Sequence, residues 1–185
     1  MSRLPFDRIR WPLVALLASA ATLGVAYFFE MVLNQAPCQM CWWQRYAYFA
    51  AAPTALVAIA LKWRGAGPGL MTTFSILLAL IFITGFVIAA WHALFEWDLA
   101  PGPAGCTAIN AGALPEDVPL SQLLDRPQAI PSCKDALWRF PNDEPWGLSM
   151  AGLNAVWSMI LAALSLFSAS QPPMRADTAN EPVQP

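Results

Sequence analysis

Apolar residues along this chain collect into four long runs. They extend from Trp11 to Leu33, Trp42 to Leu61, Leu70 to Phe95 and Trp146 to Ala169. The second is broken only by Gln44 and Arg45 near its start, the third holds His92 near its end, and the fourth carries no charge. About 20 apolar residues in a helix cross the ~30 Å of hydrocarbon in a bilayer. With no water there, a spanning segment must be a helix or part of a closed barrel. Barrel strands alternate in segments of about ten residues, and these runs do not alternate. The pattern predicts an all-α membrane protein, a bundle of four transmembrane helices filling a single domain over residues 1–170. Its connections include loops at about 34–41 and 96–145, and the polar, Pro-containing stretch 171–185 reads as a disordered tail.

Composition supports this class. Of 185 residues, 57% are hydrophobic and 12% charged, whereas a soluble domain carries about 25% charged residues. So little charge cannot cover a globular surface. The nine Trp residues suit anchoring at two membrane interfaces. Arg3, Arg8 and Arg10 ahead of the first run, with Ala18-Ser19-Ala20 inside it, imitate a cleavable signal. A signal core has about 7–15 residues, and this run continues to Leu33, so a retained span is expected.

The basic residues set the orientation. Arg3, Arg8, Arg10, Lys62, Arg64 and Arg175 all fall on one side of the four spans, and the positive-inside rule assigns that side to the cytoplasm. Both termini are then cytoplasmic. The other face receives Arg126, Lys134 and Arg139 against Glu96, Asp98, Glu116, Asp117, Asp125, Asp135, Asp143 and Glu144. All four cysteines lie at or beyond that outer face, as disulfide chemistry in an oxidising compartment requires.

The chemistry centres on Cys38-Gln39-Met40-Cys41, at the head of the second run, with Arg45 four residues on. If Pro37 opens the helix, where its missing N–H costs nothing, both cysteines sit in the first turn, where the helix dipole favours thiolate. Arg45 then shares a face with Cys41. Such a cation can snorkel to the interface, but a charge at lipid depth beside a CxxC favours a functional role. Cys106 and Cys133 fall in the long loop 96–145, which is of a length usually functional or mobile. Its Leu120, Leu123 and Leu124 suggest a short amphipathic helix on the membrane surface or on the bundle top. Zinc ribbons use two close cysteine pairs; Cys106 and Cys133 form none, so no metal site is expected. Two static structural disulfides are the blander alternative.

Pro37-Cys38-x-x-Cys41-x-x-x-Arg45, the separated Cys106 and Cys133, Trp138-Arg139-Phe140 and the four-span layout together resemble the disulfide bond formation protein B (DsbB) family of bacterial inner-membrane enzymes, over nearly the whole chain. The resemblance implies a thiol:quinone oxidoreductase. Cys106 and Cys133 would be the loop disulfide that oxidises a soluble periplasmic thioredoxin-like (DsbA-like) disulfide oxidase, with Cys106 attacked by the partner. Cys133 would then attack Cys38, leaving Cys41 as the thiolate that faces a quinone, ubiquinone or menaquinone. Arg45 matches the arginine associated with the quinone, and His92 lies where family members carry a histidine near the same pocket. A vitamin K epoxide reductase-like oxidoreductase also combines four helices, a CxxC and two loop cysteines, but there the loop pair comes first.

Overall fold

The computed structural model describes residues 10–104, 106, 132–134, 136, 138–140 and 147–171. The Leu120–Leu124 segment and residues 172–185 lie outside the described residues. Helix α1 spans Trp11–Met31, α2 Gln39–Trp63, α3 Pro68–Glu96 and α4 Met150–Ser170. Strands β1, Arg139–Phe140, and β2, Leu148–Ser149, pair antiparallel just before α4. All four helices are long and apolar enough to cross a membrane, as the four runs predict.

The helix ends follow local chemistry more closely than the apolar runs do. Pro68 opens α3 behind Gly67, where a missing N–H is harmless. The fourth run begins at Trp146, but α4 begins at Met150. Residues 148–149 are extended in the β1–β2 pair, and Ser149 caps the helix by accepting from Gly152 N at 3.2 Å. Glu96, expected as a loop acid, is instead the buried last residue of α3.

Small residues let the helices approach. Ala47, Ala51, Ala55 and Ala58 line the buried face of α2, and Ala151, Gly152, Ala155, Ser158, Ala162 and Ser165 that of α4. In lipid, association rests on such close packing and on interhelical hydrogen bonds rather than on a hydrophobic force. Gly85 of α3 shows how tight it is: a Cβ there would lie 3.1 Å from Ala47 Cβ. Trp11 Nε1 donates to Ser165 Oγ at 3.1 Å, and the Ser75 and Ser168 hydroxyls meet at 3.3 Å. The large side chains of Leu17, Leu80, Val87 and Met159 point outward, which suits a lipid solvent. Helices α2, α3 and α4 pack in sequence, while α1 docks mainly on α2 and barely meets α4. That gap positions the site.

Candidate active site

Cys38 is the N-cap of α2, extended at φ −72° and ψ 172°, and its Sγ accepts from Cys41 N at 3.2 Å. Pro37 therefore precedes the cap rather than opening the helix, since the cap residue must itself be non-helical. Cys41 does lie in the first turn. The two sulfurs are joined, with Cα atoms 5.1 Å apart. Cys106 and Cys133 form a second disulfide, Cα to Cα 5.2 Å, across a sequence separation of 27.

Both disulfides sit in one apolar cluster. Cys38, Met40, Phe95, Cys106 and Cys133 are buried together, with Cys41, Trp43 and Trp91 packed against them. The end of α3 builds the seat for the loop. Asp98, at φ 59°, turns the chain, and Leu99 N bonds back to Leu94 O at 2.9 Å. Trp91 Nε1 then donates to Pro101 O at 3.0 Å, and Gly102 presses on the Phe95 ring where any Cβ would clash. Cys106 N donates to Pro103 O at 3.1 Å and Cys133 N to Cys106 O at 3.2 Å. Lys134 ties the other side of the seat through a 2.6 Å ion pair with Asp98.

Arg45 is buried, and its cation is compensated. Nη1 meets Glu30 Oε2 of α1 at 2.5 Å, and Nη2 donates to Ala26 O at 3.4 Å. The guanidinium lies 5.0 Å from the Tyr27 ring centroid and 4.8 Å from that of Trp42, within cation–π range. His92 is also buried. Its Nε2 is 2.9 Å from Cys133 O, 3.8 Å from Cys38 Sγ and 3.5 Å from Glu96 Oε1. Its Nδ1 is 2.7 Å from Gln44 Nε2. Cys38, Cys41 and His92 hold three donor atoms within 4.8 Å. With the sulfurs bonded to each other, the trio offers no thiolate, which is the form that ligates metal.

A cavity of about 650 Å³ opens among α1, α2 and α4. Cys38, Cys41, Arg45 and His92 line its head, and Trp157 and Thr22 line its wall. Trp157 Nε1 donates to Thr22 Oγ1 at 3.0 Å, bridging α4 to α1 where they otherwise barely touch. All six residues proposed from sequence thus converge on one end of the bundle: four cysteines in one cluster, with Arg45 and His92 beside them. Three acid and amide groups were missed. Glu30 is a lone acid inside an apolar run, a signal legible by the rule that intramembrane charges mark function. Gln44 and Asn154 are polar residues in spans, but their link, Asn154 Nδ2 to Gln44 Oε1 at 2.7 Å, crosses 110 residues of sequence.

The family model for the disulfide bond formation protein DsbB matches residues 8–168. The chain belongs to the DsbB family. Among curated relatives, disulfide bond formation protein B of Marinobacter nauticus is 29% identical over 154 residues, covering 82% of this chain and 85% of the relative. The Nitrosospira multiformis protein of the same name is 29% identical over 168 residues, covering 88% of this chain and 92% of that one. Disulfide bond formation protein B 1 of Pseudomonas entomophila is 33% identical over 103 residues, covering 56% of this chain and 57% of its own. As a DsbB family member the chain is an oxidoreductase of disulfide bond formation and a multi-pass inner-membrane protein. Membership decides against the vitamin K epoxide reductase-like alternative and against a scaffold with inert disulfides.

Proposed function

We propose that this protein reoxidises a soluble periplasmic thioredoxin-like dithiol oxidase and delivers the electrons to membrane quinone. The observation that carries the reading is the shared cluster: both disulfides pack together at the head of a cavity among the apolar helices. Both termini are cytoplasmic in this reading, and the connections from α1 to α2 and from α3 to α4 are periplasmic.

Exchange begins when a partner thiolate attacks Cys106 Sγ. The Cys106–Cys133 bond breaks, and Cys133 leaves as thiolate. Cys133 then attacks Cys38 Sγ, the Cys38–Cys41 bond breaks, and the charge moves to Cys41. The second partner thiolate attacks its own sulfur in the mixed disulfide, which releases oxidised partner and a Cys106 thiolate. Thiolate attack of this kind needs the target sulfur to be reached and a stable leaving thiolate; Cys106 is buried against Phe95, so the partner has to uncover it on docking. The first turn of α2 and the nearby Arg45 cation favour thiolate at Cys41.

The residues present fit a quinone. Arg45 offers a planar fork of donors flanked by aromatic rings, and the α1 wall of the cavity is formed by apolar side chains such as Ala18, Val25 and Phe29. A bound ubiquinone or menaquinone supplies the two-electron acceptor. Arg45 orients its polar head, and His92 borders the same space. The test is anaerobic mixing of purified protein, a reduced soluble dithiol partner and quinone. Quinone absorbance should fall by one equivalent per partner disulfide formed. Partner oxidation without quinone loss, or no partner oxidation, sinks the proposal.

A further inference from the structure

A chain of hydrogen bonds crosses the bundle behind the cysteines. Ser158 Oγ lies 2.9 Å from Tyr48 OH, Tyr48 OH donates to Asn154 Oδ1 at 2.5 Å, Asn154 Nδ2 donates to Gln44 Oε1 at 2.7 Å, and Gln44 Nε2 is 2.7 Å from His92 Nδ1. The chain ends at Cys133 O, 2.9 Å from His92 Nε2. That carbonyl fixes the direction of every link. A carbonyl only accepts, so Nε2 must carry the proton. In the neutral ring Nδ1 then accepts, which requires the amide nitrogen of Gln44 to face it. Gln44 Oε1 in turn accepts from Asn154, Asn154 Oδ1 accepts from Tyr48, and Ser158 donates to Tyr48. Reversing the two amides would place a bare Nε2 lone pair against the Cys133 carbonyl at 2.9 Å. Of the three acceptors near Nε2–H, the carbonyl is much the nearest, at 2.9 Å against 3.5 Å for Glu96 and 3.8 Å for Cys38 Sγ.

We infer that Gln44 and Asn154 are positioning residues that lock His92 as a donor from Nε2, so that His92 docks the Cys133 main chain beside Cys38 for the exchange between the two disulfides. This rests on the relay proposed above. In that step the Cys133 thiolate forms a bond to Cys38 Sγ, and Cys41 leaves with the electron pair of the Cys38–Cys41 bond. The attacking residue comes from a loop, whereas its target caps a helix. A main-chain anchor at the attacking residue itself limits the loop's freedom without occupying its sulfur. Anchoring through the carbonyl also survives the break of the Cys106–Cys133 bond, which would otherwise free the segment.

The test measures effective concentrations of two cysteine pairs in the full-length protein. One background keeps Cys38 and Cys133 (Cys41→Ala, Cys106→Ala); the other keeps Cys38 and Cys41 (Cys106→Ala, Cys133→Ala). Each is equilibrated in glutathione redox buffers, and disulfide is scored by the gel shift after maleimide labelling. Gln44→Met keeps the size and removes the donor. It should lower the Cys38–Cys133 effective concentration about five- to tenfold, the scale of one hydrogen bond to a buried partner, and leave Cys38–Cys41 within about twofold. His92→Phe should do the same, and Gln44→Met should add little on top of it, because both act through one contact. An unchanged Cys38–Cys133 value overturns the inference, and so does an equal loss for both pairs, which marks a general structural defect. Failure of Cys38–Cys133 to form even with Gln44 and His92 present overturns the relay reading itself.

Discussion

The two disulfides of this protein are built on opposite principles. Cys38–Cys41 belongs to a helix. It spans three residues, and one sulfur caps the backbone of the other. Breaking it leaves α2 intact, because the helix is held by its packing against α1 and α3. Cys106–Cys133 belongs to a loop, joins residues 27 apart, and is seated on α3 by main-chain contacts, His92 and an exposed ion pair. Closing a loop of that length restricts the unfolded chain by about 3–4 kcal/mol, against about 2 kcal/mol for a CxxC. Reduction therefore opens a long loop that His92 still holds at the Cys133 carbonyl in one case, and only exposes a thiolate in the other. The difference suits a relay in which the loop bond meets a soluble protein and the helix bond meets the membrane.

The largest expected effect erases the helix-borne half. Cys38→Ser and Cys41→Ser should each abolish quinone reduction, measured as the fall in quinone absorbance with reduced partner supplied. Near-normal turnover in either variant would break the division of labour. The loop-borne half has its own signature. Cys106→Ser should prevent the covalent complex with the partner, whereas Cys133→Ala, given oxidised partner, should make it accumulate, since the unpaired Cys106 thiolate opens the partner's disulfide and no Cys133 remains to displace the partner from Cys106. Non-reducing gels of each variant mixed with partner distinguish the two. A complex trapped normally without Cys106 would assign the attack to the wrong sulfur.

Arg45 sharpens the contrast, because it touches only the helix side. Arg45→Met should raise the quinone Km about tenfold, the scale of losing a charged hydrogen-bonding group. Arg45→Lys should retain part of the activity, keeping the charge but losing the planar fork. Exchange between Cys106 and the partner should be nearly unchanged in both. If Arg45 serves only as an interfacial anchor, correctly inserted Arg45→Met will show an unchanged quinone Km. Glu30 makes the outcome informative, since Arg45→Met also leaves that acid without its cation. The double variant Arg45→Met with Glu30→Gln should insert better than Arg45→Met alone and recover no quinone affinity.

The helix side was also the more legible in the sequence. Four apolar runs of spanning length leave few alternatives to a four-helix bundle, and Cys38, Cys41 and Arg45 lie within one local segment whose geometry follows from helix periodicity. Contacts between helices were not legible in this way. Periodicity says which residues share a face, but not which face of α4 meets α2. Asn154 therefore could not be matched to Gln44, nor Tyr48 to Ser158. Glu30 was readable in principle as an acid at lipid depth, yet its partner lay across a turn whose path the sequence did not fix. Glu96 read as loop because it follows the apolar run, whereas α3 extends through it and buries it beside His92. The start of α4 shifted for a similar reason. The apolar run includes Leu148, which pairs as a strand before Ser149 caps the helix.

The smallest expected effect tests how the loop is held. Lys134 and Asp98 form an ion pair on the rim of the seat, and both side chains are well exposed. Exposed pairs contribute about 0.2–1 kcal/mol and weaken with salt. Lys134→Ala should therefore slow exchange between the loop and the partner by less than about fivefold at low ionic strength. At ~0.5 M salt the variant and the parent should converge, because the pair is then screened. His92→Phe should behave differently, since its bond to Cys133 O is buried and uncharged at the acceptor; its defect should persist at high salt. Stopped-flow rates for the two variants across a salt series separate a rim contact from a buried dock. If Lys134→Ala exceeds His92→Phe in effect at high salt, the loop is held chiefly at its rim, and the distinction drawn between the two disulfides must be rebuilt around Lys134 rather than the buried histidine.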